Sequence, residues 1–169
     1  MSLEFKEFNS LPHGEQADIA GLIAAYTHGQ LDEEPQMLPV DSADILDRHL
    51  GYVALKSGTF SGYIGAMHIL AHKGLNMAEV GSLWVPKNSR HQGIAHKLIG
   101  LASGSLVAIQ EVPYAFCNPL SKGIFTQMGY HEVDAQQVPP EALVACNSCP
   151  MKPANGDCCD DILIFRGGR

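Results

Sequence analysis

A chain of 169 residues is long enough for one sizeable core and short for two. Hydrophobic residues make up 46% and charged residues 17%, which excludes a disordered composition. The formal net charge of -7 argues against a general nucleic-acid binder, which needs a basic face to displace counterions; it either favours an amine or other cationic partner or, as in most acidic proteins, serves solubility alone.

Leu3 to Phe8 alternates apolar and charged residues and predicts a first strand. Ala17, Ile19, Ala20, Leu22, Ile23 and Tyr26 recur at helical spacing and predict a helix ending near Gly29. Leu31 to Pro39 carries Asp32, Glu33, Glu34 and two prolines and reads as a loop. Asp41 or Ser42 then caps a short helix through Ile45, Leu46 and Leu50, and Tyr52 to Leu55 is a strand. Ser57-Gly58-Thr59 is a hairpin turn. Tyr63 to Ala71 is apolar with little alternation, which predicts a strand buried on both faces. His72-Lys73-Gly74 turns the chain into a further strand, Met77 to Val85, completing an antiparallel meander.

Gln92 to Glu111 predicts a long helix with Ile94, Leu98, Leu101, Ala102, Ser105, Leu106 and Ile109 on one face, stopped by Pro113. Tyr114 to Cys117 is a short buried strand, parallel to the last meander strand because a helix crosses between them. Pro119 opens another helix, with Ile124, Phe125 and Met128 on its core side and Gly129 after its end. Tyr130 to Val138 reads as a strand and Asp161 to Phe165 as the last one. The whole is a single α/β (α+β) domain over residues 1–169 with a mixed, mostly antiparallel sheet and a Cys-containing insert at about 139–160. No apolar run is long enough for a membrane span, and the first residues hold no signal-peptide apolar region. With five cysteines, that predicts a reducing, cytoplasmic setting.

The densest chemical signal is Val80-Gly81-Ser82-Leu83-Trp84-Val85-Pro86-Lys87-Asn88-Ser89-Arg90-His91-Gln92-Gly93-Ile94-Ala95. A strand ends, a polar turn follows, and a helix opens with Arg-x-x-Gly-x-Ala. Unpaired amides at a helix start, under the positive end of the dipole, make a phosphate site. Gly93 lets an anion approach the backbone, and Arg90, Lys87 and His91 place positive charge nearby.

This motif resembles the Arg/Gln-x-x-Gly-x-Gly/Ala signature of the GNAT superfamily of acyl-CoA-dependent N-acetyltransferases. A second segment, Asn118 to Tyr130, is similar to the family's Asn-to-Gly-aromatic stretch after the fifth strand. The resemblance implies a V-shaped splay between the fourth and fifth strands, and acetyl-CoA as co-substrate. Amides of Arg90, His91, Gln92, Gly93, Ile94 and Ala95 would hold its pyrophosphate, and the backbone edge of Leu83, Trp84 and Val85 its pantetheine arm. Asn118 is either a cofactor contact or the N-cap of the helix after it.

N-acetylation needs a neutral amine, hence a base or a water chain. Glu79, eleven residues before Arg90, matches the catalytic glutamate of the histone-acetylating branch; a solvent-facing strand residue is the plain alternative. His68 on the neighbouring strand is the second candidate, against a satisfied core histidine. Phe125 stands where many members have a tyrosine acid, and phenylalanine donates no proton. The acid is therefore unassigned. The acceptor implied is a small-molecule amine, a protein N-terminus or a lysine. The acidic residues Asp32, Glu33, Glu34 and Asp41 either attract it or form a solvated loop. The sequence leaves the oligomeric state open, with a homodimer the commonest oligomer for a soluble chain. Two other functions compete: an acyl-CoA-binding module without turnover, and a thiol- or zinc-responsive regulator. The latter rests on Cys146-x-x-Cys149 and Cys158-Cys159, where three cysteines with His131 or Cys117 could hold zinc, or a disulfide or packed thiols could form.

Overall fold

The computed structural model describes residues 2–35, 37–144 and 161–167, with only the backbone of His68. In chain order they form β1 (Leu3–Glu7), α1 (His13–Thr27), α2 (Ser42–Leu46), β2 (Leu50–Lys56), β3 (Thr59–His72) and β4 (Leu75–Trp84). Then come α3 (Ile94–Ala108), β5 (Glu111–Cys117), α4 (Pro119–Gln127), β6 (Tyr130–Glu132) and β7 (Asp161–Phe165). The strands make a mixed seven-stranded sheet in the order β1-β2-β3-β4-β5-β7-β6. No helix among the described residues is long and apolar enough to cross a membrane.

The chain packs as two compact units, Met1–Met67 with Ser82–Ala102, and His68–Gly81 with Ser103–Arg169. In the first, β1 pairs antiparallel with β2, and β2 with β3. The hairpin turn is Ser57-Gly58, with φ of 50° and 80°, which closes Lys56 onto Thr59 as a two-residue turn should. Helix α1 buries Ile19, Ala20, Ile23 and Tyr26, three or four residues apart, against Phe8, Val53, Leu55 and Trp84. The side chain of Gln16 donates to the Leu11 carbonyl at 2.7 Å, satisfying a buried amide. Asp41 precedes α2, and its own N–H donates to the Asp44 carboxylate at 3.1 Å.

Two glycines shape this core. Gly51 and Gly65 are register partners, and a Cβ on either would meet the Tyr63 hydroxyl at 3.0 Å and 2.7 Å. The Tyr63 ring thus lies over a bed of two bare backbones, edge-on to Phe8 at 5.3 Å. Its hydroxyl has no hydrogen-bond partner among the described residues. Burial pushes its pKa up, and Arg48 opposes that.

In the second unit, β4 pairs parallel with β5 from Asn76↔Glu111 to Glu79↔Tyr114. Strand β5 pairs antiparallel with β7, and β7 with β6. Met77, Tyr114, Val138 and Ile164 form its core on one face. Tyr130 stacks edge-on against Phe125 at 5.0 Å, and its hydroxyl shares a 2.7 Å hydrogen bond with Ser103.

The elements depart from the sequence reading in four places. Leu50 opens β2 and does not close α2. The second half of β3 is not buried on both faces: Ile69 is 40% exposed. Helix α3 ends at Ala108, with Gln110 left-handed at φ 64°, so Pro113 lies inside β5 and Ile109 is exposed. The stretch after Glu132 leaves the sheet and makes 3₁₀ turns at Ala135–Gln137 and Pro140–Leu143.

Candidate functional site

Strand β4 runs into Pro86, whose fixed φ of -53° starts a 3₁₀ turn over Lys87–Ser89. The Ser89 N–H donates to the Pro86 carbonyl at 2.8 Å. His91 and Gly93 then take left-handed φ of 60° and 74°. Helix α3 closes its first hydrogen bond from the Lys97 N–H to the Gly93 carbonyl at 3.1 Å. Ordinary helix geometry leaves the amides before it without intrahelical acceptors. A Cβ at Gly93 would meet nothing within 4 Å, so the space over this backbone is open. His91, Gln92 and Gly93 are exposed, Ile94 is buried and Ala95 half-buried.

Side chains fix this turn. Arg90 donates through Nε to the Val85 carbonyl at 2.9 Å and through Nη2 to Glu33, an ion pair. The other Glu33 oxygen accepts from the Lys87 N–H at 3.2 Å. The Arg90 charge is thus compensated by Glu33. Lys56, at the end of β2, donates to the Gln92 side chain at 2.9 Å and brings a cation to the turn. Neither Glu33 nor Lys56 was legible as part of this turn. They meet it only through tertiary contact, 57 and 36 residues away in sequence.

Trp84 is buried, stacked on Tyr26 at 4.3 Å and tilted against Phe60 at 5.2 Å. Leu83 and Val85 beside it are half-buried. Ser82 interrupts β4 with a left-handed φ of 54°, and its hydroxyl accepts from Nη2 of the buried Arg48 at 3.1 Å. The sequence carried no local signal for that pair. Left-handed backbone at a residue other than glycine marks an irregularity in the strand.

In the second unit, the β4–β5 ladder ends at Glu79↔Tyr114, although β4 continues to Trp84 and β5 to Cys117. The two strands part there, as the fold expectation required. Glu79 is half-buried at the last rung. Tyr114 opposite is buried; its pKa is raised by burial and then by the Glu79 charge, so the phenol keeps its proton. His68 lies on β3, with its side chain outside the described residues. The two-residue turn Lys73-Gly74 joins β3 to β4 with φ of 49° and 79°. Counted back from it, an unbroken ladder would set His68 opposite Glu79.

Asn118 is the N-cap of α4: its Oδ1 accepts from the amides of Leu120 at 3.0 Å and Ser121 at 2.9 Å. The capping reading is the one observed. Phe125 is buried and Tyr130 spends its hydroxyl on Ser103, so neither presents a proton donor. Cys117 is buried in β5 and His131 exposed on β6. Cys146, Cys149, Cys158 and Cys159 lie outside the described residues. Among the described residues no group of three or more His, Cys, Asp or Glu could hold a metal.

No protein-family model matches the sequence, and no curated protein matches it. Solved structures do. N-acetylglutamate synthase from Neisseria gonorrhoeae, complexed with coenzyme A and N-acetyl-glutamate, superposes with a TM-score of 0.67 at 16% identity. That match covers 100% of this chain and 36% of the synthase, so the chain spans about a third of that protein's length. A GNAT-family acetyltransferase from Staphylococcus aureus Mu50 matches with a TM-score of 0.65 at 13% identity, covering 97% of this chain and 98% of that one. The NatC complex bound to Gag peptide and CoA contains a chain with a TM-score of 0.64 at 17% identity, covering 98% of each. With the parted β4 and β5, and the turn from β4 into α3, these neighbours establish that the chain has the GNAT N-acetyltransferase fold.

Proposed function

We propose that this chain is an acetyl-CoA-dependent N-acetyltransferase that moves an acetyl group to a primary amine by direct attack within a ternary complex. The observation that carries this reading is the turn between β4 and α3. Gly93 is left-handed under open space, a helix of fifteen residues starts behind it, and Lys56 and Lys87 stand at its sides. Such a start favours a pyrophosphate through its amides and dipole. The neighbours crystallised with coenzyme A support the same ligand.

In this reading the amides from His91 to Ala95 hold the pyrophosphate, and Arg90, whose own N–H donates to the Lys87 carbonyl at 3.4 Å, borders them. The backbone of Leu83, Trp84 and Val85 pairs with the pantetheine arm as an added strand does. Acetyl-CoA supplies a thioester whose carbonyl carbon the amine attacks. Glu79 takes the proton that the amine must lose, directly or through one water, with His68 as the alternative base. Holding both reactants in reach supplies much of the rate. Asn118 serves α4 first, and a further contact to the cofactor arm would use the atoms its cap leaves over. The leaving thiolate takes its proton from water, because Phe125 has none to give and Tyr130 is bound to Ser103. The acceptor is a small-molecule amine, a protein N-terminus or a lysine; an N-acetylglutamate synthase and a complex bound to a Gag peptide among the structural neighbours support an amino-acid or peptide acceptor.

Calorimetric titration with acetyl-CoA tests the binding half, and release of free CoA with a panel of amines tests the transfer. Saturable heat with amine-dependent release is the expected result. Absence of heat at millimolar acetyl-CoA with an intact fold overturns the reading. One observation favours a second reading, an acyl-CoA-binding module without turnover: the position that would carry the acid is the buried, nonpolar Phe125. Heat without CoA release from any amine is its signature.

A further inference from the structure

We propose that Glu33 is a positioning residue for the phosphate-binding turn, holding the strained backbone of His91 in the shape that presents the amides of α3. This deepens the acetyl-CoA reading and rests on it.

His91 is the strained residue of this turn. A residue with a Cβ at φ 60° sits in a conformation that costs free energy, and such strain persists only where the surroundings over-determine it. Its surroundings are few, because His91, Gln92 and Gly93 are all exposed. The constraint comes from the residues just before. Glu33 accepts from the Lys87 N–H at 3.2 Å and forms an ion pair with Arg90, while Arg90 Nε donates to the Val85 carbonyl at 2.9 Å. One carboxylate thereby ties the first residue of the 3₁₀ turn to its last flanking residue and, through Arg90, to the end of the strand. The Glu33 side chain is 11% exposed, so the carboxylate is sheltered, while the Arg90 side chain at 38% stays open to solvent. Next to Glu33, the Glu34 carbonyl accepts from the Tyr26 hydroxyl at 3.5 Å. Thr27, at the end of α1, receives the Val40 N–H at 3.1 Å and donates to the Val40 carbonyl at 3.2 Å.

Glu33 carries a negative charge close to a site read as anion-binding. A purely electrostatic role would make its removal strengthen binding. The clamp predicts the reverse, because the amides lose their alignment. That difference in sign makes the proposal testable.

The test is a double-mutant cycle read by calorimetric titration of the full chain with coenzyme A, using wild type, Glu33→Ala, His91→Gly and the double variant. Glu33→Gln is added as the milder change, since its amide oxygen still accepts from the Lys87 N–H. Glycine at 91 removes the left-handed penalty, so the turn needs less holding. Glu33→Ala is expected to weaken binding roughly tenfold, the affinity equivalent of one strained residue released, with Glu33→Gln between it and wild type. In the His91→Gly background the same substitution is expected to cost less than about threefold, because coupled residues are not additive. Circular dichroism confirms that each variant is folded. An equal loss in both backgrounds, unchanged affinity in Glu33→Ala, or tighter binding there overturns the role of Glu33 while leaving the acetyl-CoA reading intact. No binding by wild type overturns both.

Discussion

Replacing Glu79 by Gln keeps the size of the side chain and removes its ability to take a proton. If Glu79 is the base, Glu79→Gln lowers kcat by at least about a hundredfold at saturating substrates and leaves acetyl-CoA affinity in place. Steady-state rates and a titration on the same preparation check this, and an unchanged kcat removes Glu79 from the chemistry. Ser103→Ala isolates a structural pair. It leaves the Tyr130 hydroxyl, at 0% exposure, without its 2.7 Å partner. The expected cost is about 1–3 kcal/mol by urea unfolding, mostly recovered when Tyr130→Phe removes the other hydroxyl too. At this scale the sequence showed what is local. Gly93 and Asn118 announce themselves because a left-handed glycine and an N-cap act within a few residues of their own position. Glu33, Lys56 and the Arg48–Ser82 pair could not be seen, since each works on a segment distant in sequence.

Gly62 shows how tightly one element seats on another. A Cβ there would meet Cγ2 of Ile94 at 2.9 Å, Cδ1 of Leu98 at 3.2 Å and the Trp84 carbonyl at 3.3 Å. Ile94 is β-branched and stiff, and the carbonyl belongs to the backbone, so none yields cheaply. Gly62→Ala is expected to destabilise by about 1–3 kcal/mol, the usual cost of overpacking. Because the clash falls on the first turn of α3, acetyl-CoA affinity should fall with it; thermal unfolding with and without ligand measures both. Hairpins and caps were the legible elements, because Ser57-Gly58 and Lys73-Gly74 fix their turns by backbone preference alone. The helix end and the strand after it were not. Pro113 looks like a helix stop, but Gln110 had already ended the helix in a left-handed conformation. Among the described residues Pro113 has β4 at its side and precedes the ladder with β7, which starts at Tyr114, and prolines are tolerated at such positions. The run from Tyr130 to Val138 had strand composition, yet its later residues cover the core of Met77, Tyr114 and Ile164, with Val138 buried there. Tertiary demand outweighed propensity.

Three buried tyrosines set how the whole molecule answers to alkali. Tyr63, Tyr114 and Tyr130 all have their pKa raised, in each case first by burial. In the unfolded chain the same phenols ionise near pH 10. A raised folded pKa adds stability that is fully present below the unfolded value and is lost as pH climbs above it. Each group then withdraws about 1.4 kcal/mol per pH unit above pH 10, until its own folded pKa is passed. Unfolding free energy should therefore fall steeply between pH 10 and 12, with the phenolate absorbance of these residues rising together with loss of structure. Phenolate signal from all five tyrosines ahead of any unfolding would contradict this.

Lys122 has a consequence of another kind. From α4 it reaches Glu132 at 2.7 Å and Asp161, the first residue of β7, at 2.9 Å. A cation shared by two carboxylates acts as a peg at the threshold of the last strand. It adds a side-chain tie to the register that the backbone ladders of β7 with β5 and β6 already set. Descendants of this gene could lengthen, trim or rewrite the preceding sequence without sliding the alternation of Leu163 and Ile164 between the two faces. Such a peg turns that stretch into a place where evolution can experiment while the sheet stays in register.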